Sequence, residues 1–159
     1  MNFLAEGSAV NCDDRCGFTL VELSITIAII GVLASISIPE YLAMQNSARR
    51  TEVPSVVDSM HTLEKAYFAV YDEYVVIPTP QPRLVPDKTL QTWTAGTDFD
   101  LIEWEPDGPV RGVYRIDSGS DKNTFRVVGQ CDVDNDTMLA EYYATQNIGV
   151  QRATPTSVY

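Results

Sequence analysis

From Phe18 to Ile38 the chain runs through 21 residues, FTLVELSITIAIIGVLASISI, in which Glu22 is the one charged side chain. Apolar positions fall on every side of a helix here. At about 1.5 Å rise per residue such a helix is roughly 30 Å long, the thickness of a bilayer's hydrocarbon core. A membrane-spanning helix is therefore predicted over 18–38. Pro39 interrupts the pattern, but a Pro inside a helix kinks it without having to end it. The stretch EYLAMQNSARRTEV continues helical up to Pro54. Beyond it Val53, Val56, Val57, Met60, Leu63, Tyr67, Val70 and Tyr71 recur at steps of three and four, one apolar stripe on an otherwise polar helix. A long N-terminal helix is expected over 18–72, apolar all round before Pro39 and one-sided after Pro54.

After Asp72 the period changes. Pro78, Pro80, Pro82 and Pro86 lie close together in IPTPQPRLVP, which excludes helix and central strand and predicts an extended surface loop over 78–86. Strand-like runs then alternate with turn residues: Phe99 to Glu105, Val110 to Asp117, Thr124 to Cys131 and Met138 to Thr145. Within the second run Val110, Gly112, Tyr114 and Ile116 share one side, while Arg111, Arg115 and Asp117 share the other. Short strands joined by short turns make an antiparallel meander that must cover one face. The striped half of the helix is the available cover. The predicted class is α+β, a long helix laid across a small antiparallel sheet, with a globular head over 73–159.

Charge narrows the function. The 159 residues carry 22 acidic and 11 basic side chains, a net charge of −11. That balance excludes general nucleic-acid binding, which needs Lys and Arg to displace counterions from phosphates. It suits a soluble domain on the outer side of a membrane. His61 is the sole histidine, placed one residue past Met60 at the edge of the stripe, where packing is the expected role. No phosphate-binding glycine loop or histidine-based metal cluster is present, so no enzyme activity and no cofactor are expected. Asp132, Asp134 and Asp136 alternate with the spacing of the first three ligands of a calcium loop. Thr137 and Tyr143 stand where that loop needs Gly and a bidentate Glu. The expected reading is a hairpin turn, and no metal is assigned.

Glu22 remains to be explained. An ionised carboxylate within a membrane segment costs about 2–3 kcal/mol, so it calls for a partner. Gly17-Phe18-Thr19-Leu20-Val21-Glu22-Leu23 closely resembles the processing site of type IV prepilins and of the related pseudopilins. The resemblance extends to Arg50 and includes Gly31, Pro39 and Tyr41. It implies a leader peptide over 1–17, cut between Gly17 and Phe18 by a prepilin peptidase that also methylates the new amine of Phe18. It implies further that Glu22 pairs with the terminal amine of a neighbouring subunit during filament assembly, and a charge that is costly alone becomes tolerable beside its opposite. Gly31 and Pro39 bracket the weakest helical stretch, where the stem can loosen.

The function so implied is a structural subunit of a type IV pilus or pilus-like filament. Its partners are the peptidase and other copies of itself or related pilins. It waits in the bacterial inner membrane as a single-pass protein before assembly and afterwards lies in an extracellular pilus or a periplasm-spanning pseudopilus. A pseudopilin of type II secretion is the near alternative, and a monomeric membrane-anchored binding domain the distant one. A signal peptide is a poorer description, because its apolar core spans only about 7–15 residues. Two features depart from the family pattern. The leader carries Glu6, Asp13 and Asp14 against Arg15 alone, so the expected orientation rests on the motif and not on charge. Cys12 and Cys16 leave with it, and Cys131 alone cannot close a disulfide, so the C-terminal segment needs another fastening.

Overall fold

The computed structural model describes residues 17–82, 88–119 and 123–158. The leader expected over 1–17, with Cys12 and Cys16, lies outside the described residues except for Gly17, and so do residues 83–86 of the Pro-rich segment. The chain divides into two compact units, Met1–Glu40 and Tyr41–Tyr159.

Helix starts at Leu20 and continues to Tyr71, with α1 over Leu20–Arg50 and α2 over Glu52–Tyr71. Pro39 sits inside α1 without ending it. The junction at Thr51 has a cause three residues on. Pro54 has no N–H to give the carbonyl of Arg50, and Thr51 turns its N–H and hydroxyl back to the Ala48 carbonyl at 3.3 and 2.6 Å. In the first unit the large apolar side chains are exposed, and α1 contains no buried residue. By length and composition this helix is able to cross a membrane.

The second unit is a five-stranded antiparallel meander, β1 (Ile77–Gln81), β2 (Val113–Ser118), β3 (Phe125–Cys131), β4 (Ala140–Thr145) and β5 (Ile148–Arg152), in the order β1-β2-β3-β4-β5. Register places Ile116 beside Val127 and Val127 beside Ala144, so their side chains share the inner face. Val53, Val57 and Met60 of α2 pack into that face with Tyr114, Ile116, Phe125 and Val127. Gly129 on β3 permits the close approach: a Cβ there would stand 2.6 Å from Val57 Cγ2 and 2.8 Å from Val53 Cγ1. Glu52 ties the first turn of α2 to the sheet, its Oε1 accepting from the Arg111 N–H at 2.8 Å and the Tyr114 hydroxyl at 3.3 Å. The expected α+β arrangement, helix on antiparallel sheet, is what the structure contains.

Three local expectations need correction. Phe99 to Glu105 is no strand: Asp98–Ile102 forms a 3₁₀ helix that ends at Glu103 in the left-handed region. Phe99 and Ile102, three apart, are both buried while Leu101 between them is exposed, which is the 3₁₀ period and not alternation. The Pro-rich segment contributes β1, because at the sheet edge a residue without an N–H is tolerated. Last, a further strand follows the final expected run: Ile148 begins β5, so only Gln146 and Asn147 form the turn after Thr145.

The apolar stripe of α2 is also rotated from its predicted line. Val53, Val57, Met60, His61 and Glu64 are buried, whereas Val70 and Tyr71 are exposed.

Candidate functional site

The N-terminus of α1 is built by four residues. Thr19 is positioned as its N-cap, and Glu22 stands three residues later. The Thr19 N–H and hydroxyl donate to Glu22 Oε2 at 2.9 and 2.7 Å, and the Glu22 N–H donates to Thr19 Oγ1 at 3.2 Å. This reciprocal arrangement is a capping box, which satisfies backbone donors that a helix start otherwise leaves unpaired. Thr-x-x-Glu ahead of an apolar run is the sequence signal for it, and it was passed over because Glu22 was read only as an assembly residue. The carboxylate thus already has a partner inside its own chain. Both donors fall on Oε2. Among the described residues Oε1 accepts no hydrogen bond, which leaves it open to a further donor.

The rest of the stem is suited to an apolar surrounding. Ser24, Thr26 and Ser35 turn their hydroxyls back to the carbonyls of Leu20, Leu23 and Val32, so none of these donors is left unsatisfied. A Cβ added at Gly17 or at Gly31 would meet nothing within 4 Å. Packing among the described residues therefore gives no reason for glycine at either position. At Gly17 the reason is to be sought in what binds the chain. At Gly31 an interior glycine weakens the helix by roughly 0.5–1 kcal/mol relative to alanine. Pro39 removes one more helical bond eight residues on.

In the head, each remaining candidate is held by its own fold. His61 is buried on α2, its Nε2 3.0 Å from the Thr145 carbonyl, to which the ring donates, with its face near Phe125. Asp132 is buried and uses both oxygens on backbone N–H groups, those of Asn135 at 2.7 Å and Thr137 at 3.0 Å. Asp136 accepts from the Met138 N–H at 2.8 Å. Asn135 and Thr137 adopt positive φ, so this segment is a carboxylate-organised turn, although the three carboxylates do come within 4.8 Å of one another. Burial pushes the Asp134 carboxyl above its usual range, and Asp136 adds to the effect.

Two features of the head escaped the sequence reading. Glu64 is fully buried; its Oε2 accepts from the Val75 N–H at 3.1 Å, fastening the connection between α2 and β1, while Oε1 has no hydrogen-bond partner among the described residues. Burial pushes its carboxyl up to about 7. The signal was available, since 53, 57, 60 and 64 lie on one helical line. The second is the fastening of the C-terminal segment. Arg50 donates to the Val158 carbonyl at 2.7 Å, and Arg152 reaches the carbonyls of Pro155 and Val158. Val158 is buried beneath them. Two guanidiniums hold this segment in place of a disulfide: Cys131, buried on β3, has no second cysteine among the described residues, and burial pushes its thiol up to about 12.

Residues 13–38 match the prokaryotic N-terminal methylation motif. Over 58 residues the chain is 40% identical to the type IV major pilin protein PilA of Myxococcus xanthus, a stretch covering 36% of this chain and 26% of that protein. Over 50 residues it is 48% identical to a fimbrial protein of Pseudomonas aeruginosa and 46% identical to the type IV major fimbrial protein FimA of Dichelobacter nodosus, covering 31% of this chain and 30% of each. The chain thus matches between a quarter and a third of the length of these relatives. It carries the N-terminal methylation motif, and it is similar to type IV pilins over a stretch far shorter than the whole chain.

Proposed function

We propose that this chain is a pilin, a structural subunit of a type IV pilus or related filament. The observation that carries the reading is the methylation motif set at the start of an exposed helix whose first stretch, up to Ile38, is predominantly apolar and carries one charge, Glu22. In this reading residues 1–17 are a leader. The peptidase draws the extended backbone at Gly17 close to its catalytic groups, where a side chain would obstruct it. Cleavage releases Phe18 as the new N-terminus, which is then methylated. The single-pass subunit waits in the inner membrane with 18–38 in the lipid, and the head over 73–159 faces outward.

Assembly transfers the stem from lipid to a bundle of stems. Lipid is as apolar as the bundle, so burial alone supplies little drive. The directing contact is between Glu22 of one subunit and the terminal amine of Phe18 in the next. The capping box helps in this. It holds the carboxylate in one rotamer through Oε2 and presents Oε1, so less side-chain freedom is lost when the amine arrives.

The test is a measurement on surface material sheared from cells that express the chain. Filaments composed of a protein whose first residue is N-methyl-phenylalanine at position 18 are the expected result. A full-length chain, or a membrane protein never found in filaments, overturns the proposal.

A further inference from the structure

Where the end of α2 meets the 3₁₀ helix, Leu63, Tyr67, Val70, Tyr71, Leu101 and Ile102 line an open groove of about 230 Å³. Val70 is 73% exposed, Tyr71 61% and Leu101 57%. Large apolar side chains gathered this way on a soluble surface mark a contact site. The rim is acidic. Glu103 lines the groove itself, and Asp72, Glu73 and Asp100 flank its residues in the chain, all exposed. Among the described residues none of these four carboxylates has an ion-pair partner. The groove therefore fits a partner that is apolar with a basic end.

The last turns of α1 have that composition. Tyr41, Leu42 and Met44 are exposed, and Arg49 follows, half exposed and without an ion-pair partner among the described residues. Leu42 and Arg49 are seven apart, hence on one helical face and about 10 Å from each other along the axis. We infer that the groove of one subunit receives the Tyr41–Arg49 stretch of a second copy, with Leu42 over Leu101 and Arg49 against Glu103. The two surfaces are different patches of the same chain. Such a contact does not close on itself as a two-fold dimer does, and it propagates into rings or open filaments. The inference rests on the filament reading and names one contact that holds the heads in register.

Two sets of variants of the full chain, expressed in cells, test it. Leu42→Cys and Leu101→Cys together, in filaments treated with a mild oxidant, should yield a ladder of disulfide-linked multimers that neither single variant gives. Glu103→Lys and Arg49→Glu should each lower the yield of sheared filaments about tenfold, and their combination should restore it to within about twofold of the parent. A parent chain that forms no filaments overturns the filament reading and this contact with it. Filaments of normal yield in which the cysteine pair gives no ladder overturn the contact alone. So does a charge-exchanged variant as poor as the singles, or a Leu101→Cys chain that crosslinks to lipid-embedded or unrelated protein instead of its own kind.

Discussion

The two helices of this chain place a glutamate in opposite circumstances. In α1 the apolar side chains are exposed and Glu22, the one charge among them from Phe18 to Ile38, is exposed with them. In α2 the apolar side chains that face the sheet, Val53, Val57 and Met60, are buried, and Glu64 is buried with them. Each carboxylate accepts backbone N–H donors, Glu22 from Thr19 and Glu64 from Val75, and each leaves its Oε1 open. Only the surroundings differ. Around Glu64 the chain has already supplied the low dielectric, so the cost of charge falls on folding. Around Glu22 the chain supplies no such cover, and in the proposed filament reading the low dielectric is that of lipid or of other subunits, so the same cost would fall on membrane insertion and be relieved by assembly. One residue type thus takes a structural role where the fold covers it, and the proposed assembly role falls where the fold does not.

Glu22 gives the largest way to break this comparison. Removing one partner of a buried ion pair costs about 3–5 kcal/mol, so Glu22→Ala should leave a processed, membrane-bound protein that is scarce in filaments by orders of magnitude. Glu22→Gln sharpens the result, since a capping box accepts Gln as well as Glu. The Gln variant keeps the helix start and loses only the charge. If filament yield in the Gln variant matches the parent, the capping box and not the ion pair is what assembly needs.

The sheet side of α2 offers a smaller effect, confined to the head. Gly129→Val would drive side-chain atoms into Val53 and Val57, and overpacking of this kind costs about 1–3 kcal/mol. Thermal unfolding of the detergent-solubilised chain should show the loss as a lower midpoint, with the helical content of α1 unchanged. An unchanged midpoint means that α2 does not bear on β3 as closely as the geometry has it.

How far the sequence disclosed this arrangement follows from which patterns are local. The apolar run, the first half of the stripe on α2 (Val53, Val57 and Met60), the alternation in β2 and the strand-like runs that became β3 and β4 depend on neighbours a few residues away, and they read correctly. The 3₁₀ turn at Asp98–Ile102 did not, because Phe99, Leu101 and Ile102 satisfy alternation and a three-residue period about equally until packing decides between them. β1 was missed because its prolines are acceptable only at an edge, and edge status is a property of the whole sheet. Glu64 was passed over because its charge concealed its place on the buried line, and the Arg50–Arg152 clasp joins elements about a hundred residues apart. At the candidate site the sequence named Gly17, Phe18 and Glu22 through resemblance, yet Thr19, the residue that actually holds the carboxylate, was visible only as a capping motif.

Glu64 sharpens the comparison through pH. Its folded-state carboxyl is raised from 4.5 to about 7 by burial, so the folded chain keeps a proton that the unfolded chain releases. Stability is then fullest below pH 4.5 and falls as pH rises toward 7, where the folded form ionises too. Glu64→Gln retains an acceptor for the Val75 N–H and has no proton to lose. The variant should flatten that part of the stability profile and stand about 1–2 kcal/mol above the parent at pH 8, after allowance for relaxation around the charge. Parallel profiles for the two chains across this window would place the carboxylate in water and not under the sheet.

Gly31 carries the smallest effect and separates the stem's own stability from its role in the filament. With nothing within 4 Å of its Cβ position, Gly31→Ala introduces no clash within the chain, and it should strengthen α1 by roughly 0.5–1 kcal/mol. Insertion and processing should be unchanged, since Ala is as apolar as the segment around it. If the stretch between Gly31 and Pro39 is where the stem loosens, filaments of the Ala variant should extend less under a given pulling force, at equal yield and length. That outcome sets α1 apart from α2 once more, for a gain in helix stability that steadies a packed helix stiffens one whose work is to yield. Equal extension in both filaments removes Gly31 from the role and leaves it to Pro39, whose missing backbone bond no substitution at 31 replaces. A fall in yield instead means that the added methyl meets a neighbouring stem, and the glycine then serves close packing between subunits.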